Sequence, residues 1–152
     1  MDPAMIAPRP DLTRAHPFWP ELTLYAATVY LEAGGEPDAG KLAVAWVIKN
    51  RMVRRDQSIA TVILAPAQFS CWTIPASAEA RLARLDTVAW DRCWWAMAAA
   101  YWAFLPDPTQ GAGYYLNEIV TREGREHHDL PAWFSEDRVT VRIAQHTFLR
   151  LG

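Results

Sequence analysis

The run Leu42-Ala-Val-Ala-Trp-Val-Ile48 constrains this chain more than any other stretch. Wound into a helix, it puts apolar side chains on every side, and such a helix must be surrounded by other elements rather than laid on a surface. Lys49, Asn50 and Arg51 follow, where cations suit the negative end of the helix dipole. Glu36-Pro37-Asp38 precedes it and restarts a helix, with proline at the first helical position and carboxylates near the positive end. The chain is therefore expected to fold around this segment. Its 152 residues, 51% of them hydrophobic, suffice for one core.

Other elements are read from periodicity and caps. Leu22, Tyr25, Ala26, Val29 and Ala33 mark one buried helical face, with Glu32 on its flank. Gly34 and Gly35 are expected to end that helix through left-handed conformations. Ser58 caps a short helix through Leu64, and Pro66 stops it. Gln68 to Trp72 fits neither period and reads as an ordered loop. Asp86 caps a helix carrying Trp90, Cys93, Trp94, Met97, Ala98 and Tyr101 on its core face. Trp95 and Trp102 fall on another face, as second-side core or groove walls. Two prolines and a glycine make Leu105 to Gly111 a loop. Gly113 to Asn117 reads as a short strand, and Val139 to Ile143 pairs with Thr147 to Leu149 across a turn at Ala144-Gln145. Thr121 to Asp129 is polar and expected to be exposed and mobile. The expectation is an α+β fold, mainly helical with a small antiparallel sheet. A proline-rich extension at 1–20 precedes a single domain at 21–152.

A net charge of −2 provides no long-range field for nucleic acid or an anionic membrane. No window approaches the roughly 20 apolar residues of a membrane helix. Met1 to Pro20 lacks the basic start and apolar run of a signal peptide. A soluble monomer made in the cytoplasm is expected, with neither nucleic acid nor membrane insertion among its partners. Cys71 and Cys93 are expected to be buried thiols rather than a bridge. Eight tryptophans and five tyrosines suit both core packing and the stacking of sugars.

The candidate chemistry lies in Tyr30-Leu-Glu-Ala-Gly-Gly-Glu-Pro37. Glu32, beside an apolar stripe, is expected to be partly desolvated, which favours the protonated form needed to protonate a glycosidic oxygen. Taken alone, it reads equally well as a helix-end salt-bridge residue. Glu36, before a proline, reads better as the start of a helix than as a catalyst. His127, His128, Asp129 and His146 lack zinc-site spacing, so no metal or cofactor is expected. Nor does Gly34-Gly35 carry the Lys-Ser/Thr of a phosphate loop.

Taken in order, these segments resemble the bacterial cell wall hydrolases related to spore cortex-lytic enzymes. Tyr30 to Pro37 is similar to that family's A-E-A-x-G-E-P segment, and Gly40 to Arg51 to its G-x-x-A-V-A-x-V-x-x-N-R continuation. Further matches are Pro66 to Trp72, Asp107 to Ala112, Tyr114 to Asn117, and a closing hairpin at Val141 to Phe148. The resemblance spans roughly Leu22 to Leu149. It departs at Leu31, where the family has Ala, and at Gln110 and Ala144, where it has Gly.

The resemblance implies a lysozyme-like fold acting on peptidoglycan glycan strands. It further implies that Glu32 is the single acid of a lytic transglycosylase that leaves 1,6-anhydroMurNAc. Glu36, Gln68, Phe69, Ser70, Tyr114, Tyr115 and Asn117 would line the groove. Action on the wall or periplasm, after release through a holin pore if phage-encoded, would suit such a chain. The competing expectations are a hydrolytic muramidase using Glu36 as a second carboxylate, a zinc amidase, and a glycan-binding protein without activity.

Overall fold

In a computed structural model, residues 20–66, 68–118 and 130–150 are described. The expected extension before Pro20 and the whole Thr121–Asp129 stretch lie outside them. The described elements are α1 (Pro20–Ala33), α2 (Asp38–Arg55), α3 (Ile59–Leu64), α4 (Pro75–Ala83), α5 (Thr87–Tyr101), β1 (Tyr114–Leu116), β2 (Val139–Ile143) and β3 (His146–Leu149). Single 3-10 turns occupy Ser70–Trp72 and Glu136–Arg138. Among the described residues, no helix is long and apolar enough to cross a membrane.

The all-round apolar character of α2 has a direct cause. Ala45 and Ile48 join Tyr25 and Val29 of α1 and Trp90, Cys93 and Met97 of α5 in one core cluster. Ala43, Val44 and Val47 join a second cluster with Ala33 at the end of α1, Ala112 before β1 and Phe148 of β3. The helix is thus shared between two layers, helices on one side and strands on the other. The sheet is antiparallel in the order β1-β3-β2, with Phe148 opposite both Tyr115 and Val141.

Polar side chains tie these layers together. The guanidinium of Arg51, 4% exposed, donates from Nε to the Gly113 carbonyl (2.6 Å) and from Nη1 to Gln68 Oε1 (3.3 Å). It also lies 5.0 Å from the Phe69 ring centroid and 5.2 Å from that of Tyr114. Next to it, Asn50 donates to Asp107 Oδ2 (2.8 Å) and to the Ala112 carbonyl (2.9 Å). Asp107 in turn accepts from the Thr109 and Gly111 amides, closing its loop on itself. The end of α2 therefore carries the 107–113 loop and the start of β1.

Several expectations are met and several are changed. Ser58 caps α3, and Asp86 caps α5 by accepting from the Val88 and Ala89 amides. The 139–149 hairpin forms around the expected turn at Ala144-Gln145, with Ile143 paired to His146 and a bulge between Val139 and Val141. Both cysteines are free, Cys93 buried and Cys71 half-buried. Helix α2, however, begins at Asp38, with Pro37 as its N-cap at φ −59°. Gly34 and Gly35 are not left-handed, since Gly111 is the glycine with positive φ among the described residues. Gly34 is required for another reason: a Cβ there would sit 2.5 Å from the Tyr30 carbonyl oxygen, whose hydrogen bond the Gly34 amide makes. Trp95 and Trp102, 52% and 46% exposed, belong to neither a second core face nor the cleft described below. Helix α4 has no counterpart in the sequence reading, because its alanine-rich stretch buries Ala78 alone.

The two departures from the resembled family's glycines are positions of positive φ. Gln110 has φ 58° and Ala144 φ 52°, the latter at the first centre of the two-residue hairpin turn. Glycine is favoured at such a place because it has no Cβ to crowd the neighbouring carbonyl. Gln110→Gly and Ala144→Gly are each expected to stabilise the fold by about 0.5–1 kcal/mol, the relief of strain exceeding the added unfolded-state entropy. A thermal melt in which both variants unfold at or below the parent temperature would refute this.

Candidate active site

Glu32 is placed by the last turn of α1 at the wall of a cavity of about 430 Å³, within the size range of small-ligand sites, ~300–1,000 Å³. The lining includes Glu36, Arg81, Asn117, Gln145 and His146. Gly35 contributes open space, since nothing lies within 4 Å of where its Cβ would be. The cleft thus runs between the α1–α2 turn, α4 and the β2–β3 turn.

The hydroxyl of Tyr115 and the thiol of Cys71, both neutral, neighbour the Glu32 carboxylate. Their placement follows from local structure. Thr28, one helical turn before Glu32 on the same face, accepts from Trp72 Nε1 (2.9 Å), which draws the 70–72 turn onto α1 and brings Cys71 alongside. Strand alternation sends Tyr115 toward the cleft and Tyr114 to the opposite face, against Arg51 and Trp133. The Tyr115 ring also packs edge-on to His146, with centroids 4.9 Å apart. Burial raises the Tyr115 pKa well above its ordinary value, and the neighbouring Glu32 charge adds to this. The Cys71 thiol is raised for the same two reasons in the same order. Both groups therefore stay protonated and remain donors through the neutral range. Burial lowers the pKa of Arg51 from its ordinary value, while Tyr115, Tyr114 and Glu32 act in the opposite direction.

Glu36 is in a different situation. Its carboxylate lies 2.9 Å from His146 Nδ1 and accepts from the Gln145 amide at 3.4 Å. Both members of the pair are about nine-tenths covered, at 10% and 11% side-chain exposure. The Lys41 ammonium, on a residue 4% exposed, donates to the Glu36 carbonyl. Glu36 is thereby fixed at the junction of α2 and the hairpin.

The remaining residues singled out from the sequence separate into two groups. Asn117 lines the cleft and Tyr115 reaches Glu32. Gln68, Phe69 and Tyr114 gather around Arg51 instead, with Phe69 only 4% exposed, while Ser70 is exposed at the start of its 3-10 turn. Sequence reasoning did not assign Arg81, Gln145, His146 or Cys71 to the site. The hairpin turn fixed the place of Gln145 and His146 in advance. Nothing local to Arg81 or Cys71 marked them. Among the described residues, no group of three or more His, Cys, Asp or Glu side chains could hold a metal ion. His127, His128 and Asp129 lie outside them.

Helices to one side, a small antiparallel sheet to the other and a carboxylate in the open cleft between them define a lysozyme-like fold. A family model described as cell wall hydrolase matches residues 35–149, and the chain belongs to that family, whose members degrade peptidoglycan. Glu32 lies just before the matched span. The structure is also similar to the crystal structure of the catalytic domain of the Bacillus cereus SleB protein, with 26% identity and a TM-score of 0.62. That likeness covers 86% of this chain and 89% of the other. No match was found among curated proteins.

Proposed function

We propose that the protein cleaves the MurNAc–GlcNAc bond of peptidoglycan as a lytic transglycosylase, with Glu32 as its single acid and base. The observation that carries this reading is the unequal state of the two cleft carboxylates. Glu32 meets the neutral donors of Tyr115 and Cys71, whereas Glu36 is engaged by His146 and the Gln145 amide.

In the reaction, protonated Glu32 gives its proton to the glycosidic oxygen as the C1–O bond of MurNAc breaks. The resulting carboxylate faces the positive charge developing at C1 and takes the proton of the MurNAc 6-hydroxyl. O6 then closes on C1, giving the 1,6-anhydro ring and returning Glu32 to its starting form. No water is consumed, so no second carboxylate has to activate one. Tyr115 and Cys71 act by holding the Glu32 carboxylate in orientation. Asn117 and Gln145 present amide groups to the same cleft and suit the N-acetyl groups of the glycan. The partner is the glycan strand, met in the wall or periplasm by a monomer that needs no cofactor.

Digestion of purified peptidoglycan followed by mass analysis of the soluble fragments tests this. Anhydro-muropeptides, lighter by one water than the reducing-end forms, are the expected main products. Products ending wholly in reducing sugars would replace this mechanism with a hydrolytic muramidase, for which Glu36 would have to leave His146 to activate water.

A further inference from the structure

The cavity at Glu32 is the middle of a longer groove. Toward the hairpin it shares Asn117, Gln145 and His146 with a second cavity of about 430 Å³ that continues to Glu118 and Arg142. Toward the helices it shares Gly34, Gly35 and Arg81 with a third, of about 370 Å³, lined also by Tyr30, Arg84 and Asp86. An open groove of three joined segments fits a polymer running past the reacting bond rather than a single small ligand.

The two ends differ in charge. At the hairpin end Arg142 is committed, 3.0 Å from Glu118 and 2.8 Å from Glu136. At the helical end Arg81 and Arg84 form no ion pair with any described carboxylate. Asp86, the acid beside them, turns its carboxylate into the start of α5, where it accepts from the Val88 and Ala89 amides at 3.0 and 3.1 Å. Arg81 donates from Nη2 to the Leu31 carbonyl (3.0 Å), which ties its guanidinium to the turn of α1 that carries Glu32. A guanidinium has five N–H donors in a planar fork suited to a carboxylate, and Arg81 lines both the Glu32 cavity and the one beyond it. The glycan backbone itself carries no charge that such a pair would recognise.

We infer that the Arg81–Arg84 end of the groove binds the carboxylates of the peptide stem attached to MurNAc, so that the enzyme selects glycan bearing acidic stems. This rests on the peptidoglycan reading above. The stem leaves the lactyl group of the sugar whose bond is cut, and a cationic arm next to Glu32 meets it as the strand is seated. Arg81 and Arg84 are specificity residues here, acting on binding and position rather than on the breaking bond.

The test uses Glu32→Gln protein, which cannot turn over, and soluble GlcNAc–MurNAc-peptide oligomers of one length. One portion is left native and the other has its carboxylates converted to methylamides. Native oligomers are expected to bind roughly tenfold more tightly than the amidated ones, a difference of one charge-assisted contact, and to lose this margin as salt rises. Adding Arg84→Ala, or Arg81→Lys, which keeps the charge but not the fork, is expected to bring the ratio toward one. Equal binding of native and amidated oligomers, or a ratio untouched by Arg84→Ala in a protein with parental circular dichroism, overturns the inference. Failure of the unaltered enzyme to release any fragment from sacculi is a different result, and it removes the peptidoglycan reading beneath the inference.

Discussion

Glu32→Gln protein is expected to fold as the parent does and to release soluble fragments from purified sacculi at no more than about 1% of the parental rate. The amide is nearly isosteric and leaves Tyr115 and Cys71 beside it, so the packing of the cleft is preserved. What it lacks is the proton for the leaving oxygen and the base for the 6-hydroxyl. General acid–base catalysis is worth about 10²–10⁴-fold, and in the proposed mechanism one group carries both halves. Comparing initial rates of turbidity loss, with thermal melts of both proteins, measures this. Retention of a tenth or more of the rate would assign the acid to another residue. Glu36→Gln makes a separate outcome, because its loss acts through the His146 contact and the hairpin.

Arg51→Ala is expected to cost about 2–4 kcal/mol of stability, the largest effect among the polar substitutions considered. A hydrogen bond from a charged donor is worth about 1.5–3 kcal/mol, and the 2.6 Å contact to the Gly113 carbonyl is buried. Losing the guanidinium also leaves that carbonyl unpaired and empties the space between Phe69 and Tyr114. For a chain of this size the melting temperature should fall by roughly 5–15 °C. Activity should drop further than the unfolded fraction explains, since β1 carries Tyr115 to Glu32 and is seated through Gly113. Arg51→Lys should fall between, because an ammonium supplies charge without the planar fork. A melting temperature unchanged within about 1 °C would mean that the 113–116 strand is held by the sheet alone.

How much of this was legible in the sequence depended on range. The all-round apolar run at 42–48 pointed to a helix enclosed on both sides, and α2 is packed between the helical cluster and Phe148. Caps at Ser58 and Asp86 and the hairpin at 139–149 are local patterns, and each was readable from a few residues. Helix α4 was not, since Pro75–Ala83 shows little periodic contrast between buried and exposed positions. The resemblance pointed to Glu32, but the groups that touch it come from the 70–72 turn and from β1, and no local pattern announces such a meeting. Gln68 and Phe69, read from their motif as groove residues, are the partners of Arg51. Gly34 was singled out correctly as special, and the cause is a close carbonyl rather than a left-handed backbone.

The contact between Glu36 and His146 joins residues 110 positions apart. During synthesis the first wall of the cleft is therefore made long before the second. At about 5–20 residues per second, roughly 5–20 s separate the emergence of the two. Throughout that interval Glu32 is present but the hairpin wall of its cleft is missing. The cleft is therefore a late product of folding, closed only when the 139–149 hairpin docks against Glu36.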